Sequence, residues 1–153
     1  TGLNIQPKTY QELCKHPNIV AVKEASGDIS QIAETAYLCG DDLILYSGND
    51  DQVVPILSLG GKGVISVLSN LIPGEVHQLC QRFFDGDLMG SLQLQLDFLP
   101  LIQALFSEVN PIPVKAAMEL TGHEAGPCRL PLVDASPETR ERLSRVLLNL
   151  GLL

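Results

Sequence analysis

The sequence predicts an α/β fold followed by an all-helical tail, and three observations lead to this prediction. Short runs of apolar, β-branched residues recur about every 20 to 25 residues up to residue 85, and helical patterns separate them. Beyond residue 85 the apolar residues are spaced only by three and four. At 153 residues the chain is too short for a closed (β/α)8 barrel, which needs about 250. We therefore interpret it as the C-terminal part of a (β/α)8 TIM barrel.

The first part of the chain, residues 1–85, is expected to hold the last three parallel strands of that barrel. The strand segments are almost entirely apolar, which indicates that both faces of the sheet are buried. Thr9 and Glu12 have the spacing of a capping box, and Asp28 or Ser30 is expected to begin the second helix. The predicted strands are 19–22, 43–46 and 64–67, and the predicted helices are about 10–16, 29–37, 51–59 and 73–85.

The second part, residues 86–153, is expected to be a C-terminal extension of three helices. Apolar residues spaced by three and four predict a long helix from about 87 to 107. The prolines of segment 110–113 break it, and a second helix ends near Leu120. After an irregular connector at 123–135, Ser136 and Pro137 begin the last helix. The predicted domains are thus the partial barrel 1–85 and the extension 86–153.

The composition disfavours several classes of protein. Ten Lys and Arg against 18 Asp and Glu give a net charge of −8, which argues against binding to a nucleic-acid backbone. No apolar run approaches the roughly 18 residues of a membrane-spanning helix, and the N-terminus lacks a signal-peptide pattern. The four cysteines and three histidines are too dispersed for a metal site. We expect no metal or cofactor, reduced thiols and a cytoplasmic location.

The chain begins at Thr1 rather than at a methionine. Three parallel strands cannot close a barrel, and an open three-stranded sheet would leave two bare edges. We therefore expect this chain to be a piece of a longer product.

Lys23 is the strongest candidate for chemistry in this sequence. Among the five lysines, only Lys23 follows four apolar residues at the predicted C-terminal end of a parallel strand. That end of the strands is the catalytic rim of a barrel. Partial desolvation disfavours an ammonium ion there, and a neutral amine is a nucleophile that forms Schiff bases with carbonyl compounds. The alternative is a lysine that extends to the rim and pairs with a carboxylate.

Other polar segments have simpler structural interpretations. The glycine-rich segment 60–63 precedes its strand, whereas a phosphate-binding loop would follow it, so we predict a tight turn. Asp50 and Asp51 suit the beginning of a helix. Gly48 lies on the predicted rim, where the absence of a side chain would let a ligand approach the backbone. Supporting polar groups near the third strand are Ser66, Ser69 and Asn70.

Five motifs, in order and at compatible spacing, resemble the dihydrodipicolinate synthase family. This family lies within the wider group of N-acetylneuraminate lyases and class I aldolases. The similarity extends over essentially the whole chain. The first motif resembles the family's Schiff-base lysine segment, the next two resemble its seventh and eighth strands, and the last two resemble its C-terminal helical region. They are VAVKEASGD at 20–28, YSGND at 46–50, GGKGVISV at 60–67, NPIPVK at 110–115 and LPL at 130–132.

The resemblance implies a homotetrameric carbon–oxygen lyase with a (β/α)8 fold. Such an enzyme would condense pyruvate with aspartate semialdehyde to give 4-hydroxy-tetrahydrodipicolinate, a step of lysine biosynthesis through diaminopimelate. The partners implied are these small molecules and further copies of the chain, with no nucleic acid and no membrane. By the same resemblance, Lys23 would form the imine with pyruvate, Gly48 would line the pocket, and Ile65 would bring its main-chain carbonyl near the active site.

The resemblance also implies what this chain lacks. The family's threonine pair, its tyrosine proton relay and its lysine-feedback site come from the first half of the enzyme. Its substrate-binding arginine would directly precede Thr1. We therefore expect the chain alone to be inactive. Two alternatives remain open, namely a pyruvate-dependent sugar-acid aldolase of the same family and a non-catalytic half-barrel that serves in assembly.

Overall fold

The computed structural model describes residues 2–153. Helices and short parallel strands alternate in the first part, and only helices follow. The strands are β1 (Ala21–Glu24) and β2 (Ile44–Ser47), and the helices are α1 (Pro7–Leu13), α2 (Ile29–Cys39), α3 (Val53–Ser58), α4 (Pro73–Phe84), α5 (Leu88–Asp97), α6 (Leu99–Leu105), α7 (Ile112–Leu120) and α8 (Pro137–Asn149). Single 3-10 turns cover Gly40–Asp42, Asp50–Gln52 and Leu68–Asn70.

The chain divides into two compact units. The first comprises residues up to 66 together with 80–91, and the second comprises 67–79 together with 92–153. The sequence-based boundary between residues 85 and 86 remains a prediction.

The sheet of the first unit is parallel, as predicted. In its register Lys23 of β1 lies opposite Tyr46 of β2. The third predicted strand, 64–67, is reduced to a single parallel bridge between Ser47 and Val64. Strand pairing stops there because the chain enters the 3-10 helix Leu68–Asn70, whose N-cap is Val67. The described chain therefore has two strands rather than the three predicted, although the third segment lies beside the second strand as expected.

Helices α2 and α3 cover one face of this sheet. Ile32, Leu45 and Ile56 are buried together, with Val22 and Leu59 packed against them. Because Val22 and Leu45 alternate with Lys23 and Ile44 along their strands, the remaining residues lie on the opposite face. We call this opposite face, which carries Lys23, Ile44, Tyr46 and Ile65, the inner face of the sheet.

The helix starts were only partly predictable. Asp28 caps α2 as expected, since its Oδ1 accepts hydrogen bonds from the backbone N–H groups of Ser30 (2.9 Å) and Gln31 (3.2 Å). The predicted capping box at Thr9 is wrong, because α1 already begins at Pro7 with Gln6 as its N-cap. Proline suits the first helical turn, since its φ angle is preset and its missing N–H is not needed there.

The helical tail contains four helices rather than three. The long helix predicted over about 87–107 is broken at Phe98, where α5 ends and α6 begins. Pro100 explains the break, because it cannot donate the hydrogen bond that a continuous helix would require. Within the second unit, α6, α7 and α8 pack against one another. The side chains that they bury completely include Leu101, Leu105, Leu143 and Leu147.

A carboxylate fixes the start of α8. The Oε1 atom of Glu108 accepts hydrogen bonds from the hydroxyl of Ser136 (2.6 Å) and from its backbone N–H (3.1 Å). The hydroxyl of Ser136 in turn accepts one from the backbone N–H of Thr139 (3.2 Å). The hydrogen bond from the Ser136 side chain is the main cause that lowers the pKa of Glu108, and a side-chain hydrogen bond from Thr139 is the second. Hydrogen bonding to the charged form favours that form.

The second unit should therefore lose stability as Glu108 becomes protonated. The pKa of Glu108 is lower in the folded than in the unfolded chain, so the ionised carboxylate stabilises the fold. This stabilisation is complete above the unfolded pKa of about 4.3 and is lost as the pH falls through the folded pKa. Urea denaturation of Glu108→Gln and wild type between pH 7 and pH 3 should show a difference in midpoint that narrows with acidification. The exposed control Glu124→Gln should match wild type throughout. A pH-independent difference for Glu108→Gln would contradict this assignment.

Candidate functional site

Lys23 lies within β1, one residue before its end, rather than just beyond the strand. Strand β1 is displaced by two residues toward the C-terminus from the predicted 19–22. Strand alternation places Lys23 on the inner face and the neighbouring Glu24 on the opposite face. The two residues therefore present an amine and a carboxylate on different sides of one strand end.

Gly48 lies against the C-terminal end of β1. Its backbone N–H donates a 2.6 Å hydrogen bond to the carbonyl of Glu24. A Cβ atom at Gly48 would lie 3.0 Å from Cε of Lys23 and 2.7 Å from Cβ of Ala25. Hence the lysine side chain passes close to Gly48, and a side chain at this position would crowd Lys23 and, more severely, Ala25.

The turn that carries Gly48 is held by Ser47. The buried Ser47 hydroxyl donates to the carbonyl of Asn49 (2.8 Å) and accepts from the backbone N–H of Asn49 (3.2 Å). The backbone carbonyl of Ser47 accepts from the N–H of Ile65 (2.8 Å). Ile65 is thus tied to the same edge as Gly48 through Ser47. The structure brings Lys23 and Gly48 into contact and places Ile65 on the next segment.

Glu24 is the notable residue at this edge that the sequence analysis missed. Its side chain is 2% exposed. Its Oε1 atom accepts a 2.7 Å hydrogen bond from the backbone N–H of Ser26, while Oε2 is buried without a hydrogen-bond partner among the described residues. Burial, and then the charge of Glu24, raises the pKa of Tyr10. Nothing in the sequence signals this burial, because an acidic residue at a strand end usually lies in solvent.

An open pocket of about 460 Å³ adjoins Lys23. Lys23, Glu24, Ser26 and Tyr10 line it together with the N-terminal segment 2–5. This volume falls within the range of about 300–1,000 Å³ that is typical of small-molecule sites. The pocket therefore offers a space of small-molecule size beside Lys23.

Lys23 itself is exposed. The described residues therefore do not provide the desolvation of its amine that the sequence context predicts. The reason is that the inner face is uncovered. Ile65 is 51% exposed and Ile44 is 41% exposed, although both are apolar residues of a sheet. Two strands and one bridge cannot enclose the interior that eight strands of a barrel fill with side chains.

Several of the remaining polar segments form turns and helix beginnings in this chain. Segment 60–63 forms the predicted turn, in which the N–H of Gly61 donates to the carbonyl of Ile56 (3.0 Å). Asp50 and Asp51 begin a 3-10 helix that leads into α3, close to the predicted helix start. The side chain of Asn70 donates to the carbonyl of Val67 (2.9 Å). Among residues 2–153 no three His, Cys, Asp or Glu side chains are grouped as metal ligands, and none of the described helices is long and apolar enough to span a membrane.

Known proteins resemble this chain in sequence and in fold. Residues 1–150 match the model of the dihydrodipicolinate synthetase family. The chain belongs to the dihydrodipicolinate synthetase family. The 4-hydroxy-tetrahydrodipicolinate synthase of Caldicellulosiruptor saccharolyticus is 54% identical over 152 residues, which cover 99% of this chain and 51% of that protein.

Solved structures of the family have the same fold over this region. The dihydrodipicolinate synthase of Thermotoga maritima superposes with a TM-score of 0.94 at 45% identity, over 100% of this chain and 53% of that one. The enzyme of Cyanidioschyzon merolae, solved with lysine bound, gives a TM-score of 0.94 at 41% identity, over 100% of this chain and 52% of that one. The predicted fold class, part of a (β/α)8 barrel with a helical extension, is confirmed. The chain spans about half the length of the relatives that it matches.

Proposed function

We propose that Lys23 is the imine-forming lysine of a 4-hydroxy-tetrahydrodipicolinate synthase and that this chain supplies the C-terminal half of its barrel. The complete enzyme would be a cytoplasmic, oligomeric carbon–oxygen lyase. It would condense pyruvate with aspartate semialdehyde in lysine biosynthesis through diaminopimelate.

The close passage of Lys23 over Gly48 is the observation that carries this proposal. An imine-forming lysine must hold its terminal nitrogen in one place while a ketone approaches. Here the Cε atom comes within 3.0 Å of the position that a Gly48 side chain would occupy, and the pocket opens beside it. Membership of the dihydrodipicolinate synthetase family supports the same role.

The chemistry assigned to Lys23 is addition of its neutral amine to the ketone carbon of pyruvate. Loss of water then gives a protonated imine, which withdraws electrons and eases removal of a proton from the neighbouring methyl carbon. The resulting enamine carbon attacks the aldehyde of the second substrate. Proton transfer by positioned groups contributes about 10²- to 10⁴-fold to such reactions. Since the proton relay expected for the family lies outside this chain, the chain alone should turn over poorly.

Borohydride trapping with pyruvate tests the role of Lys23. The experiment uses the chain alone and the chain mixed with the N-terminal half of the Caldicellulosiruptor saccharolyticus relative. We expect one reduced pyruvate adduct per chain, with higher yield in the mixture. Trypsin does not cleave after a modified lysine, so the adduct should appear on a peptide spanning residues 16–62.

The matched variants are Lys23→Arg, which should abolish the adduct, and Lys62→Arg, which should keep it. Lys62 lies on the same modified peptide, so this pair separates the two amines. Absence of any adduct on Lys23 in the mixture, where circular dichroism shows both halves folded, would exclude the proposed role.

A non-catalytic role in assembly is the second candidate, and the exposed inner face favours it. Ile44 and Ile65 leave apolar surface uncovered next to Lys23. Such surface marks an interaction site when it is contiguous. A partner that supplied the missing strands would cover it and would also desolvate Lys23, so assembly and catalysis are separable only by experiment.

A further inference from the structure

Two cysteines lie at neighbouring ends of two packed helices in the first unit. Helix α1 packs against α2. At one end of this pair, the side chains of Asn4 and Gln31 exchange hydrogen bonds of 2.8 and 2.9 Å. At the other end, Cys14 is the C-cap of α1 and Cys39 is the last residue of α2. The two helices therefore run in the same direction, which brings both cysteines to one end.

The two thiols are neighbours at this end of the helix pair. Cys39 is 4% exposed, and the side chain of Cys14 is near enough to contribute to the raised pKa of Cys39. Cys14 is only partly buried, and its Sγ lies 3.3 Å from the carbonyl of Gln11. One thiol of the pair is thus partly accessible to solvent, while the other is buried.

Burial is the main cause that raises the pKa of Cys39 to about 11, and the neighbouring Cys14 and Asp42 act in the same direction. Helix α3, which also packs on α2, carries no ionisable side chain. Cys39 is therefore an inert thiol until a sulfur next to it becomes electrophilic, because the thiolate is the nucleophile in disulfide chemistry.

We propose that Cys14 and Cys39 form a redox-sensitive pair that closes to a disulfide by exchange with a small disulfide such as oxidised glutathione. The Cys14 thiolate attacks one sulfur of oxidised glutathione and expels a glutathione thiolate, which leaves a mixed disulfide. The Cys39 thiol then loses its proton and attacks Sγ of Cys14, which expels the second glutathione thiolate. Both protons from the protein end on the two glutathione molecules, and the protein loses two electrons.

The second step should be slow and steeply dependent on pH. Because little of Cys39 is ionised near neutral pH, its thiolate fraction rises about tenfold for each pH unit below its pKa. Burial, the largest cause of the raised pKa, persists after Cys14 has formed the mixed disulfide, so closure should proceed several-fold faster at pH 9 than at pH 8. The Cys14–Cys39 bond would join the ends of α1 and α2 without involving Lys23.

Peptide mapping of the folded wild-type chain tests the pair directly. After incubation with oxidised glutathione, free thiols are blocked with N-ethylmaleimide and the chain is digested with trypsin. A Cys14–Cys39 bond joins peptide 9–15 to peptide 24–62, whereas Cys80 and Cys128 lie on peptides 63–82 and 116–129. We expect the 9–15 to 24–62 link to exceed every other pairing by at least about tenfold, and to lose this excess in urea, where pairing follows chain statistics.

Single variants separate the two steps. Cys39→Ala should stop at a stable mixed disulfide on Cys14, and Cys14→Ala should leave Cys39 unmodified. The double variant Cys80→Ala and Cys128→Ala should form the same link as wild type. A folded wild-type chain that keeps the mixed disulfide on Cys14 at pH 9, or that pairs its four cysteines as it does in urea, would overturn the proposal. None of these outcomes depends on an active Lys23.

Discussion

Replacement of Gly48 with alanine should lower the yield of trapped pyruvate on Lys23 by about 10- to 100-fold, because small displacements of a reacting group have effects of this size. A Cβ atom at this position would lie 2.7 Å from Cβ of Ala25 and 3.0 Å from both Cε of Lys23 and the carbonyl oxygen of Glu24. The backbone N–H of Gly48 also donates a hydrogen bond to that carbonyl (2.6 Å), so the Gly48 backbone cannot shift away without breaking it. The 2.7 Å contact must open by a shift of the segment that carries Ala25, and this shift, together with the 3.0 Å contact at Cε, should displace Lys23. The measurement is the borohydride adduct in the preparation that labels wild-type Lys23.

Gly61→Ala is the matched control for this prediction. A Cβ at Gly61 would be equally crowded, at 2.7 Å from the carbonyl oxygen of Ile56 and 2.9 Å from its Cγ2. Both substitutions should cost about 1–3 kcal/mol of stability through overpacking. Only Gly48→Ala should also lose the adduct. If the two variants retained the same amount of adduct at equal folded fraction, Gly48 would not position Lys23.

The fold was predictable to the extent that local pattern determines it. Apolar β-branched segments and the Asp28 cap indicated parallel strands alternating with helices, and the structure has this order. The errors arise where one residue overrides the pattern. Pro7 moves the start of α1, and Pro100 divides a helix whose apolar spacing is continuous. The third strand shortens because the chain after Ile65 turns into a 3-10 helix, a choice that the residues 64–67 do not reveal.

The candidate site was predictable in position but not in environment. Lys23 and Gly48 were identified from their places after apolar segments, and they are in contact. Burial could not be read from the same pattern, since it depends on which surfaces cover a residue. Glu24 is buried although it is acidic, and its Oε1 atom accepts a hydrogen bond from the backbone N–H of Ser26. Lys23 is exposed because nothing in the described chain covers the inner face.

The two faces of the sheet should differ sharply in their sensitivity to truncation. Ile56 is fully buried against Ile32 and Leu45, so Ile56→Ala should lower the free energy of unfolding by about 2–5 kcal/mol through lost burial and the cavity left behind. Ile44 is 41% exposed on the inner face, and Ile44→Ala should cost less than about 1 kcal/mol in the chain alone. Urea denaturation followed by far-UV circular dichroism measures both values.

The variants Ile44→Ala and Ile56→Ala also test whether the inner face is an assembly surface. When the N-terminal half of the Caldicellulosiruptor saccharolyticus relative is added, strands that complete the barrel would bury Ile44. Ile44→Ala should then weaken association, measured by light scattering and titration, because truncating an apolar side chain at a desolvated centre reduces binding. Ile56→Ala should reduce the folded fraction without changing the affinity of the folded chain. An Ile44→Ala variant that binds the other half as tightly as wild type would show that this face is not where the two halves meet. A surface other than the N-terminal half would then have to cover Lys23 before its amine could be desolvated for catalysis.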